Sequence, residues 1–269
     1  MIKKNKISLL TRSANIARNI ILDLVFKSGS GHIGPSFSVV EILTYLIEVK
    51  KIYKKKKSKL ILSKGHAAPA LYACMHNAKI IDNQDLSSFR SLNSKLQGHP
   101  DRLLFNDIHC STGSLGQGLS VALGYSIGNK ILKYKEDIYC ILGDGELQEG
   151  QIWEALLFLS ANKVTNLITI IDNNKYQNEL EVKKTLNLGN LYKKLISFDF
   201  NVYKINGHSF SEIDKTFKKI DIIQRRKPIC IILDTIKGKG VKFMENNNIW
   251  HSKKLDQNNY EKAKKYLNQ

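Results

Sequence analysis

With 269 residues, 42% of them hydrophobic, the chain is long enough to bury a large core as one α/β domain and need not be two. A formal charge of +18 would suit nucleic acid, an anionic membrane surface or phosphorylated substrates, yet the lysines are spread along the chain and are dense only at 50–51 and 54–57. Arginine, the residue for bidentate base readout, is scarce, so specific nucleic-acid binding is disfavoured; no apolar run is long enough to span a bilayer, so no membrane role is expected.

Along the chain, Ile7, Leu10, Ala14, Ala17, Ile21, Leu24 and Val25 recur every three or four residues, as on the buried face of a helix rather than in a signal peptide. A flexible Ser/Gly loop at 28–36 carries His32 and precedes a helix predicted from about 38 to 48. Next come an apolar triplet at 60–62, Ser63-Lys-Gly-His66, and a helix running into Met75. A polar stretch then leads to Gln97-Gly-His-Pro-Asp101. Small residues at 111–118 open a long helix through about Lys130, with backbone donors near its N-terminus. Strands are predicted at 138–142, 167–171, 201–205 and 229–233, with helices from about 211 to 224 and 257 to 267. This alternation predicts an α/β fold, a mainly parallel sheet with helices on both faces, in a single domain over 1–269 with no internal repeat or linker. Cys74, Cys110, Cys140 and Cys230 are widely separated and form no C-x-x-C pair, as expected of a reduced, cytoplasmic chain without zinc.

Chemistry concentrates between Leu142 and Tyr176. The strand at 138–142 runs into Gly143-Asp-Gly-Glu, where Gly143 and Gly145 permit a tight turn, and the strand at 167–171 runs into a polar turn holding Asn174. Between them Ile152, Ala155, Leu156 and Leu159 mark an amphipathic helix. A Gly-Asp-Gly or an Asn-Asn alone is more often an ordinary turn. Together they form a βαβ unit with oxygen ligands at both strand ends, suited to Mg²⁺ shared with phosphate oxygens at the carboxyl edge of a sheet.

The segment resembles the thiamine diphosphate motif, which begins Gly-Asp-Gly and ends Asn-Asn about thirty residues later. The resemblance implies thiamine diphosphate as cofactor. It also implies Mg²⁺, with Ca²⁺ or Mn²⁺ as substitutes, held by the side chains of Asp144 and Asn174 and the backbone carbonyl of Tyr176. A loop histidine taken alone is usually a surface residue. Yet Ser30-Gly-His-Ile-Gly34, Ser63-Lys-Gly-His66, Gly98-His-Pro-Asp101, Ser111-Thr-Gly-Ser-Leu-Gly-Gln-Gly118, Gly143-Asp-Gly-Glu-Leu-Gln-Glu-Gly150 and Trp250-His251 resemble successive blocks of transketolase, in order and over nearly the whole chain.

That family resemblance implies the diphosphate-binding fold. It implies that His32, His66, His99 and His251 are catalytic, handling protons and hydroxyl groups of the sugar. It assigns cofactor contacts to His66, to Gly116, Gln117 and Gly118, and to Gly143, Asp144, Gly145, Glu146 and Asn174. Glu149 and Glu154 would lie near the dimer interface; without the resemblance they are simply acidic residues near a helix N-terminus, where the macrodipole favours them. Two departures bear on substrate preference: Ile33 stands where proline is common, and no glycine follows Gln177 as in a longer loop.

A full transketolase carries two further modules, a pyrimidine-binding domain with the activating glutamate and a C-terminal domain. The chain is therefore expected to be the N-terminal subunit of a split transketolase of the pentose phosphate pathway. A separate C-terminal subunit of about three hundred residues would carry the pyrimidine-binding domain. The two would form a heterotetramer moving a two-carbon ketol unit between sugar phosphates. The competing readings are a ketol transferase of a specialised sugar pathway and a noncatalytic assembly protein retaining the fold. A deoxyxylulose-phosphate synthase fragment is disfavoured by Gly98-His99-Pro100-Asp101, and a 2-oxo acid dehydrogenase α subunit by the early Gly-His pairs.

Overall fold

A computed structural model describes residues 4–268. Its centre is a five-stranded sheet of order β1-β2-β3-β5-β4, formed by β1 (Lys59–Leu62), β2 (Ile138–Gly143), β3 (Leu167–Asn173), β4 (Asn201–Asn206) and β5 (Ile229–Asp234). Every pairing is parallel, so the mainly parallel sheet expected from sequence is wholly parallel among the described residues. Parallel strands need helical crossovers, which cover both faces, and so β2 and β5 read as continuous apolar runs without alternation.

Alternate strand residues feed two cores. Leu60, Tyr139, Ile141, Ile168 and Ile170 pack on the face covered by the helices Lys4–Ser28, Ala68–Asn77 and Phe210–Ile222. Ile61, Ile138, Cys140, Leu142 and Ile171 pack on the face covered by Gln117–Ile131 and Gly150–Ala161. Each isoleucine so buried contributes about 1.5–3 kcal/mol relative to an exposed one. The predicted face of the first helix is buried from Leu10 onward, with Ile7 only partly so, and Arg18 is buried among it. Arg18 Nη2 donates to both oxygens of Glu41 at 2.7 and 2.8 Å, and His208 Nδ1 lies 3.0 Å from Glu41 Oε2. This buried cluster satisfies the charge that the apolar pattern alone cannot accommodate.

Local differences from the sequence reading have physical causes. The stretch expected as a loop up to residue 36 turns helical at Ile33–Phe37, where Pro35 sits in the first turn and no intrahelical N–H is lost. The helix expected from 38 is Val40–Thr44 passing into a π-helical turn, Tyr45–Val49, with Lys50 N donating to Tyr45 O at 3.1 Å. The long helix starts at Gln117, capped by Gly116 at φ +87°, so 111–115 is not helical but crosses the strand ends, where Thr112 Oγ1 donates to Leu62 O at 2.8 Å. β3 runs two residues further than predicted, placing Asp172 opposite Gly143 and Leu233 within the ladder. No helix among the described residues is long and apolar enough to cross a membrane.

Candidate active site

The carboxyl ends of β1, β2 and β3 converge on a cavity of about 380 Å³, in the crevice where open parallel sheets bind ligands. Its lining includes His32, Lys64, His66, Gly143, Asp144, Gly145, Asn174, Tyr176, Gln177 and His251. Asp144 leaves β2 and is 3% exposed. Its Oδ1 accepts from Gly145 N at 2.8 Å, and its Oδ2 accepts from Lys175 N, whose residue is held at φ +71° in the turn after β3. Burial and the neighbouring Asp172 carboxylate push the Asp144 carboxyl up to about 7.

Asn174 is oriented from behind. Its Nδ2 donates to Asp172 Oδ2 at 2.8 Å, which fixes the amide so that Oδ1 faces away and accepts from Tyr176 N at 3.0 Å. Asp172 also accepts from Ser38 Oγ at 2.7 Å, from Thr235 Oγ1 and from the Lys64 ammonium; Lys64 reaches Pro35 O at 3.1 Å as well. Opposed by burial, the Lys64 charge and these hydrogen bonds together hold the Asp172 carboxyl below its ordinary value. Lys64 is 1% and Asp172 0% exposed, so both charges are desolvated and depend on each other.

The turn after Tyr176 explains the missing glycine. Gln177 N donates to Leu180 O and Val182 N to Lys175 O, both at 3.0 Å, closing a short hairpin in place of a longer loop. Those bonds belong to the residues on either side of Tyr176. The Tyr176 carbonyl accepts no backbone hydrogen bond among the described residues and stays available to a ligand.

Glu146 organises a second set of loops. Its Oε1 accepts from Ser63 Oγ and from Gly116 N at 2.8 Å, while Oε2 accepts from Gly143 N at 3.0 Å. The carboxylate assigned to cofactor contact from sequence is thus occupied within the chain, although the residue lines the cavity. Gly116, Gln117 and Gly118 likewise stand outside the cavity lining, which Gly113 and Leu115 supply instead. Gly118 is required by packing: a Cβ there would fall 2.5 Å from Ser63 Oγ.

Four histidines spread from position 32 to position 251 gather in one cluster, of which His32, His66 and His251 line the cavity. His32 is central, with ring centroids 5.5 Å from His66, 6.2 Å from His99 and 5.3 Å from His251. His66 and His251 stack at 5.3 Å. Burial first, then surrounding positive charge, holds His32 down at about 4 and His251 at about 3, with His66 and His99 also lowered. Burial and positive surroundings thus favour the neutral form of all four imidazoles. His251 Nδ1 lies 3.0 Å from the buried Lys237 Nζ, whose ammonium burial pushes down to about 7 and which donates to Gln177 O at 2.8 Å.

Glu149 lines the cavity from an exposed position, and Glu154 lies on the exposed side of the helix Gly150–Ala161. Beside Glu154, Leu157 and Phe158 are 61% and 43% exposed; on the neighbouring helix Val121 is exposed and Gly124 and Gly128 face open space. Sequence reasoning missed Lys64, Asp172, Thr235 and Lys237. Asp172 had a usable signal, a charge ending a strand buried on both faces, but the other three require knowledge of what lies opposite them.

The donor set fits a divalent cation with a diphosphate. Mg²⁺ in such a site keeps phosphate oxygens and water in its shell. A cation would also supply the charge that the buried Asp144 carboxylate lacks. Two buried acceptor-capable atoms, His32 Nδ1 and Gln177 Oε1, have no partner among the described residues and belong to residues lining the same cavity.

The chain is similar to known proteins over nearly its whole length. The chain is 35% identical to a transketolase of Pongo abelii over 95% of its own length but spans only 41% of that protein. It is also 35% identical to the 6-deoxy-6-sulfo-D-fructose transketolase subunit SqwG of Clostridium sp. (strain MSTE9), covering 94% of each chain. The crystal structure of transketolase from Campylobacter jejuni superposes with a TM-score of 0.86 at 31% identity, over 97% of this chain and 43% of the other. The family described as transketolase, thiamine diphosphate binding domain, matches residues 10–268, and the chain belongs to that family.

Proposed function

We propose that the chain is the diphosphate-binding subunit of a two-chain transketolase, transferring a two-carbon ketol unit from a ketose phosphate to an aldose phosphate. The observation that carries this reading is the convergence of Asp144, Asn174, Tyr176, His32, His66 and His251 on one cavity, with His99 beside His32. Thiamine diphosphate, when bound, supplies the nucleophilic carbon and stabilises the two-carbon fragment. Asp144 and Asn174 through their side chains, and Tyr176 through its carbonyl, hold Mg²⁺; the Gly143 and Gly145 turn leaves room for the diphosphate. His32, His66, His99 and His251, neutral at working pH, accept and return protons at the sugar oxygens. Lys237 positions His251 through Nδ1, leaving Nε2 for the substrate.

The partner subunit carries the pyrimidine-binding domain and its activating glutamate, and Glu149 and Glu154 face it, within a cytoplasmic heterotetramer. Support comes from SqwG, a protein named as a subunit, which this chain matches over 94% of its length. That relative's printed substrate also favours a second reading, ketol transfer on a specialised sugar. The test is coexpression with the product of the adjacent reading frame, copurification, and assay across ketose donors with thiamine diphosphate and Mg²⁺. Activity should require both chains. Ketol transfer by the purified chain alone would overturn the dependence, and a preference for a sulfonated donor would select the second reading.

A further inference from the structure

We infer that His208 is a positioning residue, which holds the turn after β5 so that Lys237 stays on His251; this rests on the reading above, in which His251 serves the sugar. His208 follows β4 in the loop to the helix Phe210–Ile222 and stands outside the cavity lining. Its Nε2 accepts from Ile236 N at 2.9 Å, and its Nδ1 lies 3.0 Å from Glu41 Oε2. A backbone N–H can only donate, so Nε2 carries no proton, and the proton on Nδ1 is donated to Glu41. Both ring nitrogens are thereby committed within the chain. The imidazole is fixed as one tautomer, and Glu41 is fixed in turn by Arg18 Nη2 at 2.7 and 2.8 Å.

The bond to Ile236 N falls where the chain leaves the sheet. β5 ends at Asp234, and Ile236 is flanked by two side chains that serve the site from different sides. Thr235 Oγ1 donates to Asp172 on the carboxylate side, while Lys237 Nζ donates to Gln177 O at 2.8 Å and lies 3.0 Å from His251 Nδ1. Gly207 allows the approach: a Cβ there would fall 2.5 Å from Thr235 Cγ2, and its N–H donates to Asp234 O at 2.9 Å.

Beyond Ile236 the turn is held by loops. Asn246 N donates to Lys237 O at 2.9 Å, and Gly238 N donates to Gly34 O at 3.0 Å. His208 instead ties the turn, through Glu41, to the helix Val40–Thr44 and so to the packed layer beside the sheet. Lys237 is 0% exposed, so no water replaces its contacts if the turn moves. While Lys237 stays in place, His251 has one defined partner at Nδ1 and therefore one tautomer, with Nε2 in a single state toward the substrate.

The test reads the imidazole nitrogen NMR shifts of the full chain with isotope-labelled histidine, the His251 signals being assigned by their absence in His251→Phe. Wild type should show His251 as a single tautomer. In His208→Phe, which keeps a ring but loses both bonds, the His251 shifts should move toward the average of the two tautomers, as they should in Lys237→Met. Unchanged His251 shifts in folded His208→Phe overturn the inference, and a lowered urea midpoint without that change marks His208 as structural only. Should His208→Phe not fold, His208→Asn keeps a donor beside Glu41 but falls short of Ile236 N, and the same two outcomes decide. In the two-chain complex His208→Phe should lower kcat up to about a hundredfold, as for a misplaced group, and have no further effect in a His251→Phe background. The same factor in both backgrounds contradicts a role through His251. Should the wild-type complex transfer nothing, the reading of function fails separately, and the spectra of the chain still decide the role of His208.

Discussion

Behind Asp144 and Asn174 nearly every polar atom has a partner within the chain, whereas among the four histidines hydrogen bonds are few. Asp172 alone accepts from Ser38, Lys64, Asn174 and Thr235, and Glu146 ties Ser63, Gly116 and Gly143 together. On the opposite side His32 Nδ1 is buried without a partner, and the rings meet mainly each other. The carboxylate side is thus preorganised by strand ends. The histidine side is desolvated, and its rings pack mainly on one another. Rigid scaffold and open chemistry are divided between strands and loops, as is usual where a sheet edge carries a site.

Asp172→Ala should break this comparison most severely. It strands the buried Lys64 ammonium and releases Asn174, costing about 3–5 kcal/mol, as removal of one partner of a buried pair does. Urea unfolding of the chain measures it, and a loss below about 1 kcal/mol would mean that the hub is not structural. His32→Ala should do the opposite, leaving cofactor binding intact while kcat of the two-chain complex falls about 10²–10⁴-fold, the usual worth of a proton-transfer group.

Acid should expose the same asymmetry. His32 and His251 are held at about 4 and about 3 against an ordinary value of 6.5, so below 6.5 the unfolded chain binds more protons than the folded one. Their contribution to stability is whole above that value and is lost as the pH falls toward about 4 and then 3. Urea midpoints should therefore drop between pH 7 and pH 5 in wild type and drop less in His251→Phe; equal drops would place the acid sensitivity elsewhere. Glu154→Ala is the smallest perturbation to the isolated chain, within about 0.5 kcal/mol as for an exposed position. Its effect should appear as weaker copurification with the partner, and unchanged assembly would remove Glu154 from the interface.

Much of the carboxylate side was legible because its logic is local. A glycine turn after one apolar run and a polar turn after the next define a βαβ unit, and a parallel sheet brings Asp144 and Asn174 to one edge. The hub beneath them was not legible, because nothing near Lys64, at 59–66, or Lys237, at 234–241, announces that Asp172 or His251 will stand opposite. The histidine cluster was legible only through the family resemblance, since no local pattern joins His32 to His251. The same resemblance carried Glu146 and Gly116 to Gly118 over as cofactor contacts; Glu146 lines the cavity and also fastens the chain's own loops, a second role that no local pattern announces. The helix boundaries near Ile33 and Gln117 moved because Pro35 is harmless in a first turn and Gly116 supplies a left-handed cap.

The most direct test of the central claim is calorimetric titration of thiamine diphosphate into the two-chain complex, with and without Mg²⁺, for wild type and Asp144→Ala. Wild type should bind only with the metal and gain about 2.7 kcal/mol of stability at a ligand concentration of about 100 times Kd. Asp144→Ala should lose both. Binding by Asp144→Ala with the metal dependence of wild type would contradict the assignment of Asp144, Asn174 and Tyr176 as the metal site.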